Sequence, residues 1–240
     1  MDRLYYDLHI HSCLSPCGDD DMTPANIVNM AVLKELDVIA ITDHNSSKNC
    51  PAAIEFAKGS DLIVIPGMEL CTIEEVHVLC LFSNIDNAMR FDEYVYTKLI
   101  KVSNNEDIFG KQVIYDKKDC ICGIEPYLLI NATEISFQSI GRLMLEYGGI
   151  AIPAHIDKAT NSLISNLGFI PNEADFIWVE VTNKEEFNQL CVVNPYLNNC
   201  SILYNSDAHS LGLINEREHY LPSKGRTAED IINSLKTHLL

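Results

Sequence analysis

Short apolar runs of β-strand length recur along this chain, most of them separated by segments of helical character. They read YYDLHI, VIAIT, LIVIPGMEL, VHVLCLF, IAIPAH, IWVEVT and SILYNSDAH. Runs that are apolar almost throughout suit strands buried on both faces, as in a sheet covered by helices. Between them, TPANIVNMAVLKEL predicts a helix with Thr23 as N-cap and Pro24 at its first position. CPAAIEFAKGS predicts a second helix, with Pro51 near its start and Gly59 near its stop. FQSIGRLMLEYGG predicts a third, stopped by paired glycines, and KEEFNQLC a short fourth. The terminal TAEDIINSLKTHLL is a helix capped by Thr227. Repeated strand–helix units predict an α/β fold. At least seven strands within 240 residues favour a closed barrel over an open sheet. The expected organisation is one domain over residues 1–240. Its exception is an irregular excursion at about residues 84–133, a helix followed by polar, turn-rich chain over the barrel mouth.

The ends of the apolar runs carry the chemistry. Of eight histidines, His9, His11, His44, His155 and His209 follow runs, and His77 lies just before or inside one. Glu69, Asp43 and Asp207 share these places. In a β/α barrel the carboxyl ends of the strands form one face, so distant segments converge there. Alternation along an extended chain directs both imidazoles of H-x-H to one side. Converging neutral nitrogen and anionic oxygen donors are what a divalent transition metal requires. A single strand-end histidine is ordinarily just a hydrogen-bonded polar residue; the joint pattern is what points to metal. His219 and His238 have no such context and read as surface residues.

Charge and cysteine content narrow the function classes. With 17 Lys+Arg against 34 Asp+Glu, the net charge of −17 repels phosphate backbones. It argues against long nucleic acids and against anionic membranes, while a small phosphorylated substrate held by bound cations remains compatible. No apolar run reaches a membrane span, and no secretory h-region is visible. Nine cysteines without a repeated C-x-x-C pair read as reduced thiols, hence a cytoplasmic protein. The sequence carries no signal of oligomeric state.

The ordered set DLHIHS, TDHN, PGMEL, PAHID and SDAH resembles the motifs of the PHP (polymerase and histidinol phosphatase) superfamily, from Asp7 to His209. The nearest likeness is to stand-alone bacterial PHP-domain proteins described as metal-dependent phosphoesterases. The resemblance implies a distorted (β/α)7 TIM-like barrel of the PHP type, with two or three divalent ions (Zn, Mn or Fe) at the strand carboxyl face. It implies that His9 and His11 bind one ion with Glu69 and Asp207, and that Glu69 bridges to a second. His44, His77, His155 and His209 then complete the other positions, and Asp43 orients a ligand or shuttles a proton. The chain departs from its relatives after the H-x-H pair, where many carry Asp or His. Here Cys17, Asp19 and Asp20 are the candidates. Cys17 is either a thiolate ligand or simply a buried thiol, and the acidic triplet is otherwise solvated charge near a helix N-terminus. Relatives often have Arg three residues after the AH histidine; this chain has Lys158, a point charge for a phosphate.

Other residues admit two readings. Glu180 either faces the pocket or is an ordinary strand-end carboxylate; Arg226 either reaches a phosphate or is a solvent-exposed charge; Trp178 is core. The expected activity is hydrolysis of a phosphate ester by a metal-activated water. Asp43 or a site histidine such as His209 would protonate the leaving group. A nuclease or nucleotide-processing hydrolase is the rival within enzymes. A non-catalytic metal-binding regulatory module is the rival outside them.

Overall fold

The computed structural model describes residues 1–237, so His238 lies outside the described residues. In chain order the elements are β1 (Asp2–Ile10), α1 (Pro24–Leu33), β2 (Val38–Ile41), α2 (Cys50–Phe56), β3 (Ile63–Cys71) and β4 (His77–Phe82). Then follow α3 (Ile85–Lys98), α4 (Glu106–Phe109), β5 (Val113–Tyr115), β6 (Ile121–Ile124), α5 (Ile140–Tyr147) and β7 (Gly149–Pro153). The last are α6 (Leu163–Leu167), β8 (Trp178–Glu180), α7 (Lys184–Val193), β9 (Ser201–Leu203), β10 (Tyr220–Ser223) and α8 (Ala228–Leu235). Thr23 caps α1 by accepting from Asn26 N, and Thr227 caps α8 by accepting from Asp230 N. Both caps lie where the sequence predicts them. No helix among the described residues is long and apolar enough to cross a membrane.

Six strands form one sheet in the order β10-β1-β2-β3-β4-β7. β1, β2 and β3 are parallel, β10 runs against β1, and β4 runs against both β3 and β7. β7 therefore regains the direction of the parallel set. A separate parallel pair, β8–β9, bends the sheet back towards its first strand. The amide of Ile156 bonds the carbonyl of Glu180 beside β7, and Ile10 forms a parallel bridge with Ala208 beside β1. The result is a mixed α/β fold with a curled, incompletely closed sheet. Of the expected distorted (β/α)7 barrel, the α/β class and the curled sheet are present; β4 and β10 run against the parallel set, and β10 lies where no strand is predicted.

Strand alternation divides the core. Leu4, Tyr6 and Leu8 of β1 point into the curl with Val38, Ala40, Leu79, Leu81 and Ile152. Ile231, Ile232 and Leu235 of α8 join this cluster beside Ile63 and Ile177, at the amino ends of β3 and β8. Helix α8 thereby plugs the end of the curl opposite the strand carboxyl ends. On the outer side, Ile39, Ile41 and Val64 pack against α1 and α2 through Ile27, Val28, Ala31 and Ala53. Burial of each such aliphatic side chain stabilises by about 1.5–3 kcal/mol.

The segment after α3 is fixed to the loops that leave β1 and β2. Val113 N donates to Cys13 O, and Asn49 donates to Val113 O and accepts from Tyr115 N. The Asn45 amide group bonds the carbonyls of Leu129 (2.7 Å) and Asn131 (2.8 Å). Leu14, Leu99 and Leu129 make a small apolar cluster beneath it.

The β3–β4 pairing sets Cys71 opposite His77 and Glu69 opposite Leu79. Gly67 allows this register: a Cβ there would stand 2.8 Å from Cys80 O and 2.7 Å from Leu81 Cδ2. Gly67→Ala is expected to lower stability by about 1–3 kcal/mol, because the Cys80 backbone carbonyl as well as the Leu81 side chain must give way. Urea unfolding followed by circular dichroism checks it; an unchanged midpoint refutes the packing.

Candidate metal centre

The donors converge because β1, β2 and β3 end together and β4 begins beside them. His9 and His11 alternate onto the same side at the end of β1, both fully buried. Their Nε2 atoms face each other at 3.0 Å. His9 Nε2 lies 3.4 Å from Glu69 Oε1 and 3.4 Å from Asp207 Oδ1. His11 Nε2 lies 3.4 Å from Glu69 Oε2 and 3.2 Å from Asp207 Oδ1. Donors about 2.1 Å from one tetrahedral ion stand about 3.4 Å from one another. The spacing of these four groups matches that edge length.

Glu69 is the hub. Its carboxylate is almost fully buried, yet His77 Nδ1 (2.9 Å) and His155 Nε2 (3.1 Å) approach Oε1. His44 Nδ1 stands 2.9 Å from Oε2 but has no hydrogen-bond partner, so it is close without the alignment a hydrogen bond needs. His155 Nδ1 is likewise buried without a partner. His77 and His155 hydrogen-bond Oε1, while His9, His11 and His44 crowd the same carboxylate without such alignment, an excess of donors that fits cations. Three groups could hold an ion: His9, His11 and Glu69; His44, Glu69 and His77; and His11, Cys17, His44 and His209.

Electrostatics lead to the same place. Burial alone would lower the His9 pKa, but Glu180, Asp207 and Glu69 outweigh it and raise the ring well above its ordinary value. Burial pulls against the charge on Glu69 too, yet His77, His9 and His44 hold its carboxyl well below the usual range. His44, by contrast, is pushed down to about 3 by burial and stays neutral with a lone pair available. Without cations, this cluster balances its carboxylates only by protonating imidazoles.

A surrounding layer aims the rings. His9 Nδ1 donates to Glu180, 3.0 Å from both oxygens, which leaves Nε2 to face the cage. Glu180, fully buried, also accepts from His155 N (3.0 Å) and Asn205 Nδ2 (2.7 Å). Of its two sequence readings, the pocket-facing one holds. His11 Nδ1 pairs with Ser15 Oγ at 2.9 Å, and Ser15 Oγ donates to Asp43 Oδ1 at 2.7 Å. Ser12 occupies the other Asp43 oxygen, and its amide the first. Asp43 is fully buried, with both oxygens taken up by these hydroxyls and the Ser12 amide. Sequence reading missed Ser15 and Asn205, because small polar residues in loops carry no distinguishing pattern. His155 and Asp207 adopt φ of 29° and 52°, a conformation non-glycine residues rarely take.

The remaining candidates divide. His209 donates from Nδ1 to Asp207 O (2.7 Å), which frees Nε2, and its ring stacks on His11 with centroids 4.3 Å apart. Lys158 is at the centre, but its Nζ pairs with Asp207 Oδ2 at 2.6 Å instead of standing free. Cys17 is exposed at the mouth, not a buried thiol, and nearby carboxylates reinforce desolvation in pushing its pKa up to about 12. Asp19 and Asp20 are exposed and belong to no donor group among the described residues; Asp19 contributes only its amide, bonded to His209 O. Arg226 is corrected outright. It pairs with Asp37 (2.7 Å), which precedes β2 at the end of the curl away from the cage, so it cannot meet a phosphate held there. Trp178 is core, as expected.

The PHP domain family matches residues 7–169. Over 88 residues the chain is 40% identical to the 5'-3' exoribonuclease Rnm of Salmonella typhimurium, covering 35% of this chain and 28% of that protein. The matched stretch thus spans less than a third of that relative. A lesion-specific endonuclease, PfuEndoQ of Pyrococcus furiosus, superimposes with a TM-score of 0.68 at 19% identity, over 98% of this chain and 56% of that one. An endonuclease Q solved with a 27-mer duplex gives 0.60 at 19% identity, over 98% and 57%. The exclusion of long nucleic acids is therefore corrected. Net charge averages over the whole surface, whereas screening beyond about 8–10 Å leaves the charges beside the site to decide.

Glu180→Gln keeps the shape but removes the charge that holds the His9 Nδ1 proton. It is expected to weaken zinc binding about 10–100-fold. Competition with a chromophoric chelator measures this, and unchanged affinity refutes the orienting role.

Proposed function

This chain belongs to the PHP domain family, and from that membership and the carboxylate-centred histidine cage we propose that it is a metal-dependent phosphoesterase. The observation that carries the reading is the buried Glu69 carboxylate, approached by His9, His11, His44, His77 and His155 within 2.9–3.4 Å. His9, His11, Glu69 and Asp207 would hold one ion, and Glu69 with His77 and either His44 or His155 would hold a second. Zinc, manganese and iron all suit such mixed nitrogen and oxygen donors. Bound divalent ions supply Lewis acidity towards a phosphate ester and lower the pKa of a water.

The chain's own groups do the rest. Glu180 keeps His9 in one tautomer, and Asp43 acts on His11 through Ser15. The Asp207 side chain answers to His9 and His11 on its inner oxygen and to Lys158 on its outer one. The Lys158 ammonium is part-exposed, so it contributes positive charge to an incoming phosphate while restraining Asp207. A complete donor set disfavours a purely regulatory module.

A second, more specific reading is supported by the exoribonuclease and the endonucleases: the ester is a phosphodiester within a nucleic acid. The segment from Asn84 to Thr133, tied to the loops after β1 and β2, contributes to choosing that substrate. None of the nine cysteines is paired, which favours a reducing, cytoplasmic setting.

With manganese or zinc, the protein is expected to hydrolyse bis(p-nitrophenyl) phosphate and 5'-phosphorylated RNA oligonucleotides. Chelator abolishes both activities. Glu69→Gln lowers kcat/KM at least about 100-fold, because every proposed position adjoins that carboxylate. Lack of turnover of any phosphoester by the metal-loaded protein, or full activity in Glu69→Gln, overturns the proposal. Cleavage of aryl esters without oligonucleotides retains the phosphoesterase and removes the nuclease.

A further inference from the structure

We propose that the wedge between β7 and β8 is a second ligand site, which takes an apolar molecule with a single anionic head, a medium-chain carboxylate in its chemistry, and that its occupancy is linked to the metal centre. The link rests on the metal-dependent reading above; the site does not.

The wedge exists because the curl is not closed. β7 pairs with β4 and β8 with β9, and no ladder joins β7 to β8 among the described residues. Their carboxyl ends are joined where Ile156 N bonds Glu180 O. Towards their amino ends the two strands border a cavity of about 540 Å³, between α5 and the end of α8. Sites for small molecules span about 300–1,000 Å³. The wall is apolar, with Ile140 and Met144 from α5, Ile152 from β7, Phe176 and Trp178 from the opposite side and Leu235 from α8.

Two features distinguish this cavity from a packing defect. Trp178 Nε1 is buried and has no hydrogen-bond partner, so the protein alone does not complete the wall at that point. Leu145 lines the cavity and yet is 84% exposed, which leaves an apolar rim facing solvent. The charges at the rim select the head group. Arg142 and Lys236 are exposed there, and neither makes an ion pair among the described residues. Of the two acids present, Asp175 is turned onto the first turn of α5, where a Cβ on Gly141 would stand 3.0 Å from its Oδ2; the helix N-terminus favours its charge. Two uncommitted cations then face one exposed acid, Glu173. An apolar interior beneath such a rim suits an acyl chain that leaves its carboxylate at the surface.

The strands that border the cavity also carry the cage. Pro153 lines the cavity two residues before His155, and Trp178 does so two residues before Glu180. Glu180 accepts from His155 N and from His9 Nδ1. A ligand that fixes the spacing of β7 and β8 therefore acts on the contact that orients two of the donors. Linkage is reciprocal: binding at either place changes affinity at the other by the same factor.

The full chain, stripped of metal, is titrated with octanoate while the emission of Trp178, the single tryptophan, is followed. A saturable shift in emission is expected. Ala174→Phe, which fills the cavity from a half-buried lining position, should abolish it. Arg142→Glu should weaken octanoate about tenfold and leave the neutral analogue 1-octanol unaffected. Saturating octanoate should change zinc affinity at least about threefold in the wild type and not in Ala174→Phe, read by competition with a chromophoric chelator. An absent shift, or one that persists in Ala174→Phe, overturns the site. Self-association that octanoate reverses assigns the cavity to a second copy of the chain and overturns the small-molecule ligand. Equal octanoate affinity in Arg142→Glu overturns the anionic head, and zinc affinity indifferent to octanoate overturns the link. No zinc uptake at all removes the metal-dependent reading and the link with it, while the emission shift still decides the site.

Discussion

Everything in the active face depends on one buried carboxylate. Glu69 sits almost without solvent among five imidazoles, a position that would be prohibitive for an isolated charge. Its tolerance comes from the donors around it, and theirs in turn from Asp207, Glu180 and Asp43 behind them. No member can be removed alone without stranding the charge of another. Ser12, Ser15 and Asn205 saturate the outer oxygens, so the carboxylates that do not face the cage are held by hydrogen bonds.

The backbone is shaped to the same end. The reversal of β4 places the first residue of that strand, His77, opposite Cys71 and beside the ends of β1 to β3. A parallel β4 would have carried its histidine to the far end of the curl. The unusual φ at His155 and Asp207 turns two further donors inward. Such conformations are retained where the surrounding contacts over-determine them.

Much of this is legible in the sequence because ligand chemistry is conspicuous. An H-x-H pair and histidines after apolar runs can be recognised one segment at a time, and all of these residues reach the cage. What is not legible depends on direction and distance. A fully buried antiparallel strand carries the same apolar run as a parallel one, so the reversed β4 reads like a further barrel unit. β10 is short and half polar and does not stand out as a strand. Glu180 stands equally for a pocket carboxylate or an ordinary one, since its partner His9 lies 171 residues away in sequence. Arg226 misleads because a basic residue near a strand does not say which end of the curl it serves. The exclusion of long nucleic acids fails for a related reason: net charge is a sum, and sums have no location.

The contacts that close the sheet join the two extremes of the chain. Leu8 N bonds the side chain of Asn205, His11 N bonds Ala208 O, and Asp19 N bonds His209 O. A ribosome-bound fragment that has emerged only through β4 already carries His9, His11, His44, Glu69 and His77, but it lacks Asp207, His209 and the tethers that hold the first loop. Contacts of such long sequence separation form late and slowly. The full donor set therefore exists only once synthesis has passed His209, so closing the sheet and completing the cage are one event.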